Sequence, residues 1–198
     1  LTYIVNHDNF SDHNLVVWDA DTIPIKKIKF FKKNNEPFLY GSSYEYHLPY
    51  FQINKILLGN NFKNLDYSCI TQFSSLNLDD RKDLRKFFLD FNKSNKIIND
   101  KFFVPNAILK SISLCNYKTP ISESLFSEYE FIGSFLINKY KRSEPTVEIT
   151  GATLPIDAIF SKGSVSEILS ECYSKIEKTN SEITDILVVE PDPKLTIL

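Results

Sequence analysis

A short, largely apolar run that ends on acids constrains this chain most: Asn14-Leu15-Val16-Val17-Trp18, followed at once by Asp19-Ala20-Asp21-Thr22. β-Branched and aromatic residues in such a run, with turn residues after them, read as a buried strand with a polar C-terminal end. In α/β sheets that end is where sites are built. The rest of the chain must therefore supply strands to pair with this one and helices to cover it.

The remaining periodicities meet that requirement. Ile25 to Phe31 and Phe38 to Tyr40, on either side of the turn Lys33 to Pro37, read as a hairpin. Leu48 to Leu58 is expected to be a helix with Pro49 in its first turn, Tyr50, Ile53, Ile56 and Leu57 on one face, and Gly59 closing it. Asp79 to Phe91 repeats Leu84, Phe87, Phe88 and Phe91 at helical spacing, with acids in the first turn. Pro105 to Ile112 gives a short helix, and Ser124 to Tyr140 a core-facing one striped by Leu125, Tyr129, Ile132, Leu136 and Tyr140. Residues 141–198 read as a strand-helix-strand extension: strands at Thr146 to Thr150, Ile156 to Phe160 and Ile186 to Val189, with a helix opened by the capping pair Ser164 and Glu167 and buried along Val165, Ile168, Leu169, Cys172 and Ile176. Alternating strands and helices, with neither repeat nor linker, imply one α/β domain over residues 1–198 with a mixed sheet.

Composition removes several functions. Lys plus Arg total 23 against 25 Asp plus Glu, a net charge of −2 that argues against a partner bound by neutralising many phosphates, so no nucleic acid is expected. The cysteines Cys69, Cys115 and Cys172 lie far apart and are odd in number, which suggests neither a zinc site nor a disulfide framework and favours a reducing compartment. No apolar stretch approaches the roughly 20 residues that span a bilayer, and the start of the chain lacks a signal-peptide pattern, so at most peripheral membrane association is expected. The chain begins with Leu1 and has no Met, and is expected to be a portion of a longer reading frame.

Two carboxylates two apart at a strand end can reach one hard cation, leaving Mg²⁺ or Mn²⁺ positions free for phosphate oxygens. The plain alternative is two surface acids in a turn. Haloacid-dehalogenase-like phosphatases also carry a strand ending in DxD, but they continue with Thr two positions beyond the second Asp, where this chain has Ile23. The acidic pair Asp79-Asp80 opens a helix and does not supply the late acids of that family.

Four ordered blocks carry a more specific resemblance: Val17 to Pro24 (VWDADTIP), Glu45 to Phe51 (EYHLPYF) with Leu57 to Gly59, Tyr67 to Gln72 (YSCITQ), and Leu125 to Glu130 (LFSEYE). Over residues 14–140 the chain resembles bacterial GT-A-like glycosyltransferases of surface-polysaccharide (capsule and lipopolysaccharide) gene clusters. The resemblance implies a nucleotide-diphospho-sugar transferase fold, a mixed sheet flanked by helices. It also implies metal-dependent transfer of a sugar from a nucleotide-sugar donor to a glycan or lipid-linked glycan acceptor, at the inner face of the cytoplasmic membrane. Only 18 residues precede Asp19, so part of the N-terminal, nucleotide-binding half of such a fold is expected to be absent. By motif position Asp21 would hold the metal, Asp19 the metal or the donor ribose, and Trp18 would line the donor site. Glu128 and Glu130 are the candidate bases for the acceptor hydroxyl. In a helix they lie about 200° apart and cannot share a site. Glu128, at the edge of the apolar stripe near Ile132 and Phe135, is the one expected to be buried with a raised pKa. His47 with Tyr46 and Tyr50, and Gln72, are expected to touch the acceptor, the rings by stacking on sugar faces. A non-catalytic, glycan-binding remnant of the same fold is the reading outside enzymology.

Overall fold

A computed structural model describes residues 1–6, 13–19, 22–24, 27–41, 46–63, 65–98, 101–116, 124–142, 147–148, 151–155, 170, 174 and 186–190. The chain is mixed α and β, as its alternating patterns imply. Its elements are α1 (Thr2–Asn6), β1 (Leu15–Trp18), β2 (Thr22–Pro24), β3 (Tyr40–Gly41), α2 (Leu48–Leu58), β4 (Phe73–Leu76), α3 (Leu78–Ser94), α4 (Phe103–Leu114), α5 (Glu128–Lys139), β5 (Val147–Glu148), β6 (Gly151–Pro155) and β7 (Ile186–Glu190). Where the sequence suggests one domain, contacts group the chain into two compact units: Leu1–Val17 with Phe30–Val147, and Trp18–Lys29 with Glu148–Leu198.

The larger unit is a helical layer with a small β component, β1 pairing with β4. Its core is aromatic and aliphatic: Phe88, Phe131, Ile53, Leu76, Leu84, Ile132, Ile137 and Val104 are fully enclosed. Phe87, Phe88, Phe131 and Phe135 form a continuous ring cluster between α3 and α5, with centroids 5.2–5.7 Å apart in the pairs that join the two helices. The expected faces hold in part. Leu84 and Phe88 are buried on α3, whereas Phe87 and Phe91 sit at the core margin. On α2, Ile53 and Leu57 are buried together with Pro49, Phe51, Asn54 and Leu58. α5 departs most: Tyr129, Glu130, Phe131, Ile132, Ser134, Leu136 and Ile137 are all buried, so it is enclosed nearly all round where one stripe was expected. The expected hairpin around Lys33 to Pro37 reduces to a single bridge, Phe31 to Pro37, closed by Phe38 N–H to the Phe30 carbonyl at 2.9 Å and Lys32 N–H to the Glu36 carbonyl at 2.8 Å.

One polar hub ties this unit's elements. Asn77 and Asp80 cap α3 reciprocally, the Asp80 N–H donating to Asn77 Oδ1 and the Asn77 N–H to Asp80 Oδ2, each at 2.9 Å. Asp80 is fully buried, and its other oxygen accepts from Lys139 Nζ and from Tyr140 Oη, both at 2.8 Å, at the far end of α5. Lys139 also pairs with Asp83 at 2.8 Å. Burial pulls the Lys139 ammonium down, but the two aspartates outweigh it and hold it above its ordinary value. Burial and Asp80 together raise the Tyr140 phenol. Asn77 Nδ2 extends the hub by donating to the Asn35 carbonyl at 3.0 Å and to Tyr140 Oη at 3.2 Å.

The second unit contains a mixed three-stranded sheet in the order β2-β7-β6. β7 runs antiparallel to β2, with Ile23 opposite Leu187, and parallel to β6, with Thr153 opposite Val188. The apolar sequence Ile186-Leu187-Val188-Val189 suits the central strand, and Pro24 and Pro155 stand on the two edge strands, where a missing N–H is tolerated. The strand expected at Ile186 to Val189 is present; of that expected at Thr146 to Thr150 the described residues Val147–Glu148 form β5, and β6 at Gly151–Pro155 lies beyond it and was not expected. The expected strand Ile156 to Phe160 lies outside the described residues, as do Ser164 and Glu167 with most of the helix they would open.

Asp80 is the most demanding of these groups, because its removal leaves the Tyr140 hydroxyl and the Asn77 N–H without their acceptor and Lys139 with Asp83 alone. Asp80→Ala is expected to lower the unfolding free energy of this unit by about 3 kcal/mol, the cost of breaking a buried pair, as read by urea denaturation. Asp83→Ala, which loses only a half-exposed partner, is expected to cost less than about 1 kcal/mol.

Candidate functional site

Three of the four blocks that carry the resemblance meet at the N-terminal end of α5. Ser127 caps that helix by accepting from the Glu130 N–H at 3.3 Å, which sets the segment Ser124 to Ser127 as its entry. His47, the residue before α2, touches this entry: its Nε2 lies 3.0 Å from the Ser124 carbonyl. The Tyr67 to Gln72 segment joins from another direction. Ser68 Oγ and the Cys69 N–H both donate to Glu130 Oε2, at 2.6 and 2.9 Å. Pairs 61 to 77 residues apart in sequence thus converge on one helix start.

Glu130 is the anchor of this junction. It is fully buried, and Oε1 has no hydrogen-bond partner among the described residues. Burial therefore outweighs the Ser68 hydroxyl and the Cys69 N–H, which favour the charged form, and pushes the carboxyl from its ordinary 4.5 up to about 6. Next to it the Cys69 thiol is raised well above its ordinary value, by burial first and by Glu130 second, and stays protonated. Cys69 is packed so closely that a Cβ on Gly133 would fall 2.2 Å from Cys69 Cβ and 2.4 Å from Sγ. Glycine at 133 is what lets α5 approach this loop. One turn along α5, Ser134 Oγ accepts from buried Asn54 Nδ2 at 3.3 Å, which adds α2 to the same polar seam.

The two glutamates exchange the places expected of them. Glu128 is exposed at the first position of α5, whereas Glu130 is enclosed. The reason is the full burial of α5: a helix covered on several sides buries Glu130 as well as the Ile132 face. The spacing argument itself stands, since the two carboxyls occupy different environments. Glu130 in this geometry positions the Ser68–Cys69 loop, and Glu128 is the carboxylate open to solvent.

The aromatic residues form a surface platform. Tyr46 is 54% exposed and stacks on Phe51 with centroids 4.5 Å apart and planes 20° from parallel; His47 and Tyr50 sit 4.4 Å apart. An exposed ring supported from beneath by another ring is the arrangement on which a sugar face packs. Gln72 adopts a left-handed backbone, φ 62°, in the bend before β4, and Thr71 Oγ1 spans it by donating to the Phe73 carbonyl at 3.0 Å. A left-handed conformation at a residue other than glycine is costly, so Gln72 is strained where it stands.

In the second unit, the strand end carrying the acids closes as a turn: the Thr22 N–H donates to the Asp19 carbonyl at 3.1 Å, and Trp18 Nε1 donates to the Thr22 carbonyl at 2.8 Å. Trp18 thus clamps the turn. Asp19 and Asp21 are hard oxygen donors of the kind Mg²⁺ and Mn²⁺ take, and the two bonds tie Thr22, the residue after Asp21, to Asp19 and Trp18. Asp21 itself lies outside the described residues. Among the described residues no cluster of three or more His, Cys, Asp or Glu side chains is present, and no helix is long and apolar enough to cross a membrane.

Sequence reasoning missed Ser68, Cys69, Gly133 and Asn54 as parts of the junction. Gly133, within an otherwise helical pattern, was the one available sign that another segment approaches closely.

Two outcomes check the anchor. Glu130 binds its proton more tightly folded than unfolded, so the folded state holds more protons between pH 4.5 and about 6, and stability falls as pH rises through that window. Relative to Glu130→Gln, the native chain is expected to lose about 2 kcal/mol of unfolding free energy between pH 4.5 and pH 7, measured by denaturant titration at each pH. Gly133→Ala is expected to cost about 2 kcal/mol or more by overpacking, with Cys69→Ala giving no rescue and Cys69→Gly giving partial rescue. No family model, curated protein or solved structure matches the chain, so the junction at α5 and the acidic turn rest on the chain's own residues.

Proposed function

We propose that the chain is the DxD-bearing portion of a GT-A-like glycosyltransferase that moves a sugar from a nucleotide-sugar to a glycan or lipid-linked glycan acceptor in bacterial surface-polysaccharide synthesis, at the inner face of the cytoplasmic membrane. The observation that carries the reading is the meeting of the EYHLPYF, YSCITQ and LFSEYE blocks at the start of α5, which leaves an exposed carboxylate and an exposed ring platform on neighbouring segments. The clamped VWDADT turn supports a donor role for Asp19, Asp21 and Trp18.

In this reading Asp19 and Asp21 would hold Mn²⁺ or Mg²⁺, which when bound offsets negative charge on the diphosphate of the donor. Glu128 accepts the proton of the acceptor hydroxyl. Tyr46 and Tyr50 stack against acceptor sugar rings, and His47 and Gln72 hydrogen-bond to hydroxyls. Glu130 takes no proton from substrate; it holds the Ser68–Cys69 loop against α5, and is a positioning residue.

The test is calorimetric titration of UDP, GDP and CDP with and without Mn²⁺, followed by turnover with the sugar nucleotide of the preferred base. Binding that needs both Mn²⁺ and Asp19, and is lost in Asp19→Asn, is the expected result. Glu128→Gln is expected to lower kcat by 10²- to 10⁴-fold, the range for a lost general base, with donor affinity unchanged. A phosphoryl group trapped on Asp19 would overturn the reading in favour of a phosphatase. Glycan binding at Tyr46 without any nucleotide binding would overturn it in favour of a binding domain.

A further inference from the structure

The larger unit contains a concave site that the proposed reaction does not use. A cleft of about 570 Å³ opens between the end of α2, the middle of α3 and the C-terminal end of α5. That volume lies within the range of sites for small organic ligands, roughly 300–1,000 Å³. Its apolar wall contains Phe62, Phe87 and Phe135, with Phe87 and Phe135 meeting edge to face at 5.7 Å and 68°. Such a corner offers ring faces for a third flat ring.

Besides the amides of Asn60 and Asn138, the polar side chains of the cleft are charged, and mostly cationic. Lys63, Lys139 and Lys141 line it, against the single carboxylate of Asp83, which Lys139 already engages. Asn138 Nδ2, also in the lining, is shielded from solvent and has no hydrogen-bond partner among the described residues. The simpler role for these lysines would be to cap the carbonyls at the end of α5, but backbone N–H groups already do so. Tyr140 N–H donates to the Leu136 carbonyl, Lys141 N–H to Asn138 and Arg142 N–H to Ile137, at 2.9 to 3.1 Å. Lys63 Nζ donates to the Arg142 carbonyl at 3.0 Å and keeps two further N–H groups, and Lys141 makes no ion pair among the described residues. Unused cationic donors beside an aromatic corner call for an acceptor-rich anion attached to a ring.

We infer that this cleft binds a ring-bearing phosphate ester, its ring against Phe87 and Phe135 and its phosphate on Lys63 and Lys141, beside Asn138. The inference is independent of the acidic turn and of the proposed transfer reaction.

Phenyl phosphate is the probe, titrated into the full chain and followed by ¹H–¹⁵N NMR, with inorganic phosphate and phenol as separate arms. The expected result is saturable movement of the Asn138 side-chain amide by phenyl phosphate, at least tenfold tighter than by either fragment alone. Lys141→Gly is the decisive variant. Lys141 has φ 54°, where glycine is at ease, so the substitution removes the charge without straining the fold. It is expected to weaken phenyl phosphate about tenfold or more at an unchanged melting temperature. A free nucleoside monophosphate then tests a nucleotide as the source, and a short alkyl phosphate, which has no ring, is expected to bind no better than inorganic phosphate. Unchanged affinity in Lys141→Gly, equal binding of phenol and phenyl phosphate, or no movement of Asn138 would overturn the inference.

Discussion

A buried carboxyl group organises the larger unit. Glu130 is closed off from solvent, and a buried carboxyl is tolerable only if donors converge on it. The Ser68 hydroxyl and Cys69 N–H do so, which fixes the 67–72 segment against α5. Once that segment is fixed, Cys69 presses on Gly133, the Asn54–Ser134 contact closes the α2 side, and the entry to α5 lies where the His47 ring reaches it. Position at this surface is therefore set from beneath, by a group that never reaches it.

The division of labour between the two glutamates follows from the same constraint. A general base must meet its substrate, and a buried anchor must not. Glu128, at the open first turn of α5, has the exposure for the first role; Glu130, two residues on, has the enclosure for the second. Asp80 plays the corresponding part at the other end of α5, drawing Lys139 and Tyr140 onto the start of α3. α5 is thereby held at both ends by buried carboxylates, with its two termini presenting different chemistry: an aromatic platform near one, a lysine-rich cleft at the other.

Much of this was legible in the sequence, and the limits have physical causes. α2 and α3 follow directly from their apolar spacing and end signals, Gly59 after α2 and the acids at the start of α3, because local rules decide such helices. α5 was read as a helix but given one buried stripe, since its further burial comes from segments 60 to 80 residues away in sequence that no local period records. β4 went unread because Phe73-Ser74-Ser75-Leu76 lacks a strand's usual composition and forms by pairing with β1. The anticipated hairpin failed at Lys27 to Phe30, where a β-rich pattern stays outside any strand and only one bridge forms. The residues of the blocks were identifiable one by one; what could not be read was which of the two glutamates would be enclosed.

The most direct measurement of this account is a ¹³C-detected NMR titration of the Glu130 carboxyl, with the Cys69 amide followed in the same samples. An enclosed anchor predicts a carboxyl midpoint near 6 and a Cys69 amide shift that moves with it. A midpoint at the ordinary 4.5, with a Cys69 amide indifferent to it, would place Glu130 in solvent and dissolve the junction on which the functional reading is built.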